Sequence, residues 1–391
     1  MANSKGENCG SSKAKKIGSY VTISMFLLVV MGLFVVTLIK PDQEFSDSEN
    51  RVLASRPKFS IDELFNGSFT KDYETYITDQ FVERDNFIAL KVYTEQLLGK
   101  KDINGVYFSP KNYIIEEHKK GDVDESLSTK NIERVKEFID TNKDAYQVHF
   151  MLSPTASNIY ADWLPKYNLE YDQSAFIAQA KEAIDPEYMI DTSNELKEHK
   201  EEYVFYKTDH HWTSLGAYYG YTAWAKKTGI APYGLEEFDR KVVSKDFLGT
   251  TYSKVNTKKE ADSIELFSLK NGPKLTMSTK QGQGAVADSI YDMDRLKEKD
   301  QYTMFLGGNH PYVEINSDLH NGKTLLLVKD SYAHCLVPFL ANHYEKIILV
   351  DYRYFNNSTK KLMKENKVTD VLIFYNVINF VTDKNIIKLN K

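Results

Sequence analysis

Between residues 128 and 375 the chain alternates short apolar runs with segments of helical periodicity, and this limits its fold more than any other feature. Residues 148–152, 188–191, 325–328, 346–350 and 371–375 read as buried strands. Residues 128–142, 172–184, 214–227, 332–341 and 360–366 read as helices between them. Apolar runs of four or five residues can be buried on both faces, so the pattern predicts an α/β body with a mostly parallel sheet covered by helices on both sides. In such sheets ligands bind at the C-terminal ends of the strands, which directs attention to the residues that follow each run.

The start of the chain suggests a compartment. Residues 17–39 are almost uninterruptedly apolar and long enough to cross a bilayer as a helix. Lys5, Lys13, Lys15 and Lys16 precede the run, so the positive-inside bias places residues 1–16 in the cytoplasm and everything after Lys40 outside. A cleaved signal peptide is the rival, but the run is long for one and residues 37–41 offer no small-residue cleavage site. Residues 40–100 read as a polar linker containing Pro41 and Pro57, followed from Ile61 by two or three helices; residues 101–391 form the extracytoplasmic body. Cys9 and Cys335 fall on opposite sides of the membrane in this arrangement and cannot pair within one chain. The formal charge of -5, with lysines scattered among acids, excludes a nucleic-acid-binding stripe. Aromatic residues at 13% suit carbohydrate contacts, although ordinary core packing accounts for most of them.

Chemistry concentrates in Thr208-Asp209-His210-His211-Trp212. An Asp two residues before a His can orient the ring and stabilise its protonated form if the segment is extended, in which case His210 points away from His211. The segment lacks a nucleophile. Ser331 supplies one, three residues beyond the apolar run 325–328, where Asp330 or Ser331 could instead simply cap the following helix. Asp209, His210 and His211 could alternatively ligate a divalent metal, as in a phosphoesterase, but no second carboxylate-rich motif accompanies them. Trp212 either lines the site or anchors the following helix, and Ser153-Pro154-Thr155 lies at a neighbouring strand end.

Residues 208–218 resemble the signature of the DHHW protein family, which is related to alginate O-acetylation proteins and to SGNH-type hydrolases and acetyltransferases. Ser48-Glu49-Asn50-Arg51-Val52-Leu53, Phe81-Val82-Glu83-Arg84-Asp85, Leu306-Gly307-Gly308-Asn309, Lys329-Asp330-Ser331-Tyr332-Ala333 and Tyr375-Asn376-Val377 agree with it. The resemblance implies an SGNH hydrolase-like three-layer sandwich. It also implies an acetyl-enzyme mechanism with Asp209 as orienting acid, His211 as general base and Ser331 as nucleophile. The usual Gly-Asp-Ser block is absent, and Lys329 stands where its glycine would be. Oxyanion donors are then expected from the Ser331 N–H and from the Gly307-Gly308-Asn309 turn, whose glycines allow close backbone approach. The implied activity is O-acetyl transfer or acetyl-ester hydrolysis on a cell-surface or secreted polysaccharide. It needs no cofactor or metal, and a membrane-bound O-acyltransferase partner would relay the acetyl group. A noncatalytic polysaccharide export or binding scaffold is the alternative.

Overall fold

The structure is a computed structural model that describes residues 7–46, 48–49, 51–257, 259–279 and 286–391. Lys5 of the basic tail and Asn50 of the Ser48 to Leu53 stretch lie outside these residues. The chain divides into two compact units, Met1–Lys91 and Val92–Lys391, so the boundary expected after Lys100 lies within the second.

The first unit is built on a long helix, α1 (Glu7–Ile39). Its Lys15–Ile39 stretch is long and apolar enough to cross a membrane. Helices α2 (Ile61–Asn66) and α3 (Ser68–Asp79) follow, joined at Gly67, whose φ of 83° is a left-handed turn that glycine adopts without strain. Arg51 grips the buried Asp79 through both guanidinium nitrogens at 2.8 and 2.5 Å, and the Ala54 N–H adds 2.9 Å. Arg84, at the start of α4 (Arg84–Leu97), is ion-paired with Glu49, which ties the chain on either side of α2 and α3.

The second unit is mixed α/β around a seven-stranded sheet. Its strands are β1 (Gln147–Ser153), β2 (Met189–Asp191), β3 (Leu275–Ser278), β4 (Tyr312–Ser317), β5 (Thr324–Lys329), β6 (Lys346–Val350) and β7 (Asp370–Asn376). They lie in the order β3-β4-β6-β5-β7-β1-β2, and the last five run parallel. Strands β3 and β4 pair antiparallel at the other edge. Along β5, Leu325 and Leu327 enter one hydrophobic cluster while Leu326 and Val328 enter another, so both faces of the strand are buried. The second cluster takes Ile132, Val135 and Phe138 of α5 (Glu125–Asn142) and Phe176 and Ile177 of α6 (Gln173–Ala183). The first takes the aromatic face of α7 (Ser214–Thr228). Each helix starts where the sequence supplies a cap: Asp124 for α5, Asp172 for α6 and Thr213 for α7 each accept a backbone N–H of the first turn.

Four of the five apolar runs fall within the parallel strands, and the fifth, 188–191, begins one residue before β2. The antiparallel edge went unanticipated, as did the long hairpin of Phe238–Phe247 and Asp262–Leu269. These segments mix charged and apolar residues in patterns that periodicity alone does not separate from loop. The helix expected over 332–341 is also different: a 3-10 turn, Ser331–Cys335, gives way to the short helix Val337–Leu340. Pro338 has no N–H to continue a ladder and sits instead in the first turn of a new helix. No long-helix dipole therefore stands behind Ser331.

Candidate active site

Ser331 and the Pro154-Thr155 turn follow β5 and β1, and Asn376 ends β7 between them in the sheet, so three strand ends meet at its C-terminal edge. The Asp209 loop meets them there. Residues 205–212 form a tight loop closed by a bridge between Phe205 and Trp212 and by the bond from Tyr206 N–H to His211 O at 3.2 Å. Buried Asp262, at the start of the second hairpin strand, holds its base. One carboxylate oxygen accepts the Lys207 N–H at 2.8 Å and the Tyr203 hydroxyl, and the other accepts the Thr208 N–H at 2.7 Å and hydroxyl at 2.5 Å.

Within that loop Asp209 uses both oxygens fully. Oδ1 accepts the His211 N–H at 2.9 Å and faces His211 Nδ1 at 2.6 Å; Oδ2 accepts the N–H and hydroxyl of Thr250 at 2.9 and 3.0 Å. The expected extended segment is thus an Asp-led turn, and His210 does not point away. Its ring lies 3.8 Å from that of His211, and its Nδ1 meets the Thr250 hydroxyl at 2.6 Å. Gly249 makes this packing possible, because a Cβ there would stand 2.3 Å from the Asp209 Cβ.

His211 Nε2 lies 2.9 Å from the Ser331 Oγ, completing a continuous chain from Asp209 to Ser331. Tyr302 braces the chain from behind: its ring stacks on His211 at 3.8 Å and its hydroxyl donates to the Ser331 carbonyl at 3.0 Å. The two loops are also laced together. The Tyr332 hydroxyl donates to His210 O at 2.5 Å, and Trp212 Nε1–H donates to Tyr332 O at 2.8 Å.

Burial raises the Asp209 carboxyl, but the His211 and His210 rings and the bonds from His211 and Thr250 override it and hold the group well below the usual carboxylate range. Burial and His210 pull His211 down to about 4, against the opposing pull of Asp209. At neutral pH the pair is therefore a carboxylate and a neutral imidazole whose Nε2 can accept the serine proton.

Ser331 is half-buried, and the capping task falls to Asp330 instead. Asp330 Oδ1 accepts the Tyr332 N–H at 2.9 Å; Oδ2 accepts the N–H and side-chain amide of Asn376 at 2.9 and 3.0 Å and the Asn379 amide at 2.9 Å. Lys329 is buried and pairs with His334 of the same turn, Nζ to Nε2 at 2.7 Å. Burial lowers its ammonium to about 8, against the pull of Asp351.

A cavity of about 310 Å3 opens beside the chain, lined by Asp209, His210, Thr250 and Tyr332 and, across from them, by Glu116, His118, Thr155, Ser157, Asn376 and Asn379. Desolvation opposes the charge on Glu116, but His210, His118 and Lys254 outweigh it and hold the carboxyl at about 2; desolvation takes His118 to about 4. Of the expected site residues only Asp209 is part of this lining; His211 and Ser331 are next in the chain to the lining residues His210 and Tyr332, and the other four lie elsewhere. Trp212 is fully buried beneath it, stacked on Phe374 at 5.5 Å, and Gly220 of α7 leaves room for its ring. Ser153 is buried and its hydroxyl donates to Pro154 O, while Thr155 takes the lining position. Asn309 accepts from Arg353 at 3.3 Å, and Gly308, at φ 99°, packs beside Thr303. Sequence reading overlooked Glu116, His118, Gly249, Thr250, Asp262, Asn376 and Asn379 as site residues. Only Asn376 carried a signal, as part of Tyr375-Asn376-Val377.

Asp209, His210 and His211 have potential ligand atoms within 4.8 Å of one another, a spacing a cation could use. Each Asp209 oxygen already has two close partners, and His211 Nε2 is directed at Ser331, so a cation would have to displace the hydrogen bonds that build the loop.

Fold and site together define a mixed α/β protein with an Asp–His–Ser hydrogen-bonded chain, buried at Asp209 and His211, at the open end of a parallel sheet. The chain belongs to the DHHW protein family, whose sequence profile matches residues 122–350 and so includes all three residues. It shares its fold with a DHHW family protein from Eubacterium siraeum, at 24% identity and a TM-score of 0.62, over 73% of this chain and 96% of that one. The structure of Bacillus cereus PatB1 with a sulfonyl adduct is similar at 18% identity and a TM-score of 0.61, over 73% and 100% of the two chains. The O-acetyltransferase domain of Pseudomonas putida AlgJ aligns at 14% identity with a TM-score of 0.43, over 71% and 93%. No curated protein sequence matches the chain.

Proposed function

We propose that this protein is a membrane-anchored, extracytoplasmic O-acetyltransferase or acetylesterase of the SGNH three-layer type, acting on a cell-surface or secreted polysaccharide through Ser331. The Asp209–His211–Ser331 chain is the observation that carries this reading. Neutral His211 takes the Ser331 proton as Oγ attacks the carbonyl carbon of a donor acetyl ester, and Asp209 stabilises the imidazolium that forms. The oxyanion collapses, the C–O bond to the donor breaks, and the imidazolium protonates the departing alkoxide, leaving acetyl-Ser331. His211 then deprotonates an acceptor hydroxyl, or water, which attacks the acetyl carbonyl and releases Ser331.

The Ser331 N–H is the first oxyanion donor in this reading. Asn379 is the second, because its amide lines the cavity and gives only one contact to Asp330. A cavity of this size, walled by amides, hydroxyls and a few aromatic rings, suits a sugar hydroxyl and its ring. Acetyl coenzyme A is absent outside the cell, so a membrane-bound O-acyltransferase partner supplies the donor ester. The sulfonyl adduct of PatB1 supports the chemistry by analogy, since sulfonyl reagents mark an activated nucleophile.

The test is covalent trapping. Intact-mass and peptide analysis after treatment with an aryl acetate or a sulfonyl fluoride should place one acyl or sulfonyl group on Ser331. The label should vanish in a folded Ser331→Ala variant. Labelling elsewhere, or none in a correctly folded wild type, favours the noncatalytic scaffold.

A further inference from the structure

The last turns of α1 remain open to their surroundings although α3 lies beside them. Val35, Val36, Leu38 and Ile39 are 45%, 49%, 54% and 76% exposed, and only Leu33 and Thr37 of the turns between Leu33 and Ile39 are partly covered. Four large apolar side chains left this open need a nonaqueous environment on their free sides up to Ile39. The covering residues are Ile77, at the end of α3, and Phe81. With Val30, Leu33, Phe34 and Leu38 they enclose an apolar groove of about 250 Å3. Thr37 Oγ1 accepts the Val82 N–H at 3.3 Å, fixing that backbone to the same level. Val30 lies about 13 Å below Ile39 along a helix rising 1.5 Å per residue, so the groove spans a depth comparable with half a hydrocarbon core.

Polar pairing begins immediately above. The Tyr76 hydroxyl donates to Asp42 at 2.8 Å, and the Gln80 side chain exchanges two 2.9 Å bonds with the backbone of Gln43. An aromatic series of Phe59, Phe69, Tyr73 and Tyr76 runs along this side of the unit at ring separations of 5.2 to 5.9 Å. Aromatic rings with a polar tip, next to a level where hydrogen-bonding groups start, are characteristic of the membrane–water boundary.

We propose that the end of α3 and Phe81 lie in the acyl layer of the same bilayer that α1 crosses, with lipid acyl chain filling the groove. The protein is then held by a span plus an interfacial shelf, which restrains how its anchor tilts and rotates. This inference rests on α1 being a transmembrane anchor, and the experiment keeps the two apart.

Full-length protein carrying Cys9→Ser would be reconstituted in phosphatidylcholine–phosphatidylglycerol vesicles and nitroxide-labelled at Phe34→Cys, Phe81→Cys or Asp72→Cys; the native Cys335 is fully buried. Accessibility to lipid-soluble oxygen relative to a water-soluble nickel complex reads depth. The ratios at Phe34→Cys and Phe81→Cys should agree and exceed that at exposed Asp72→Cys. Phe81→Trp, which keeps the aromatic bulk, should be quenched by lipids brominated along the acyl chain. Phe34→Cys in lipid with Phe81→Cys in water overturns the shelf and leaves the anchor standing. Both labels in water overturn the anchor and the shelf together. Shielding of Phe81→Cys from both reagents overturns lipid as the occupant in favour of protein.

Discussion

The Asp209 loop and the Asp330 turn each bury a carboxylate near Ser331, yet the two carboxylates have opposite tasks. Asp209 faces a histidine, and His211, His210 and Thr250 hold it ionised against its own burial. Asp330 accepts its hydrogen bonds from neutral amides, and desolvation outweighs them and the charge of Arg353 to drive its carboxyl up. The first holds a histidine ring; the second fixes a turn. Proximity to Ser331 thus says little about a carboxylate's role, which is set by what it hydrogen-bonds.

The comparison breaks most readily on the two aspartates themselves. Asp209→Asn should lower acyl transfer roughly 10^3 to 10^4-fold, since the amide can no longer hold the right tautomer of His211. Asp330→Ala should act first on stability: with four donors orphaned, it falls by about 3 kcal/mol or more, measured by denaturant titration. Equal rate losses in the two folded variants would erase the distinction.

Gly249→Ala forces a methyl into the Asp209 carboxylate. We expect a rate loss of about 10^2-fold from the displaced His211, with the Asp330 turn intact by amide exchange. Thr250→Val removes one of four contacts to Asp209 but keeps the backbone N–H. A drop of about tenfold in kcat/KM is expected, and Thr250→Ser should restore it.

The smallest effect is in pH. His211 must be neutral to accept the serine proton, so activity per folded molecule should fall by half near pH 4 and stay level above about 5.5. Stability follows a different window. The folded ring binds its proton near pH 4 and an unfolded histidine near pH 6.5, so the unfolded chain takes up protons first. This contribution to stability is intact above pH 6.5 and is lost progressively as pH falls towards 4. A rate profile with its acid limb at 6.5 would mean that His211 is solvated rather than buried.

The five parallel strands were legible because a strand buried on both faces is apolar along most of its length, which leaves a nearly continuous mark in the sequence. Tyr312–Ser317 carries Glu314, Asn316 and Ser317 among its apolar residues and left no such mark. Asp209, His211 and Ser331 were legible because their residue types are scarce in that combination, and the first two sit on one short loop. Glu116, Thr250, Asn376 and Asn379 were not, as each reaches the cavity from a separate element and none is chemically unusual alone. Gly308 and Asn309 looked suitable as donors by conformation, but a turn can serve only where the chain carries it.

By itself the sequence determined that a parallel sheet would form, that an apolar helix would precede it, and which three residues could share a proton. Hydrophobic period and side-chain chemistry are local properties and need no knowledge of neighbours. Tertiary structure alone decided that His211 Nε2 reaches Ser331 across 120 residues of chain. It also decided that Asp330 caps rather than catalyses, and that His210 lies against His211. Those outcomes depend on distance, burial and competing hydrogen-bond partners, which exist only once the strands have brought their loops to one edge.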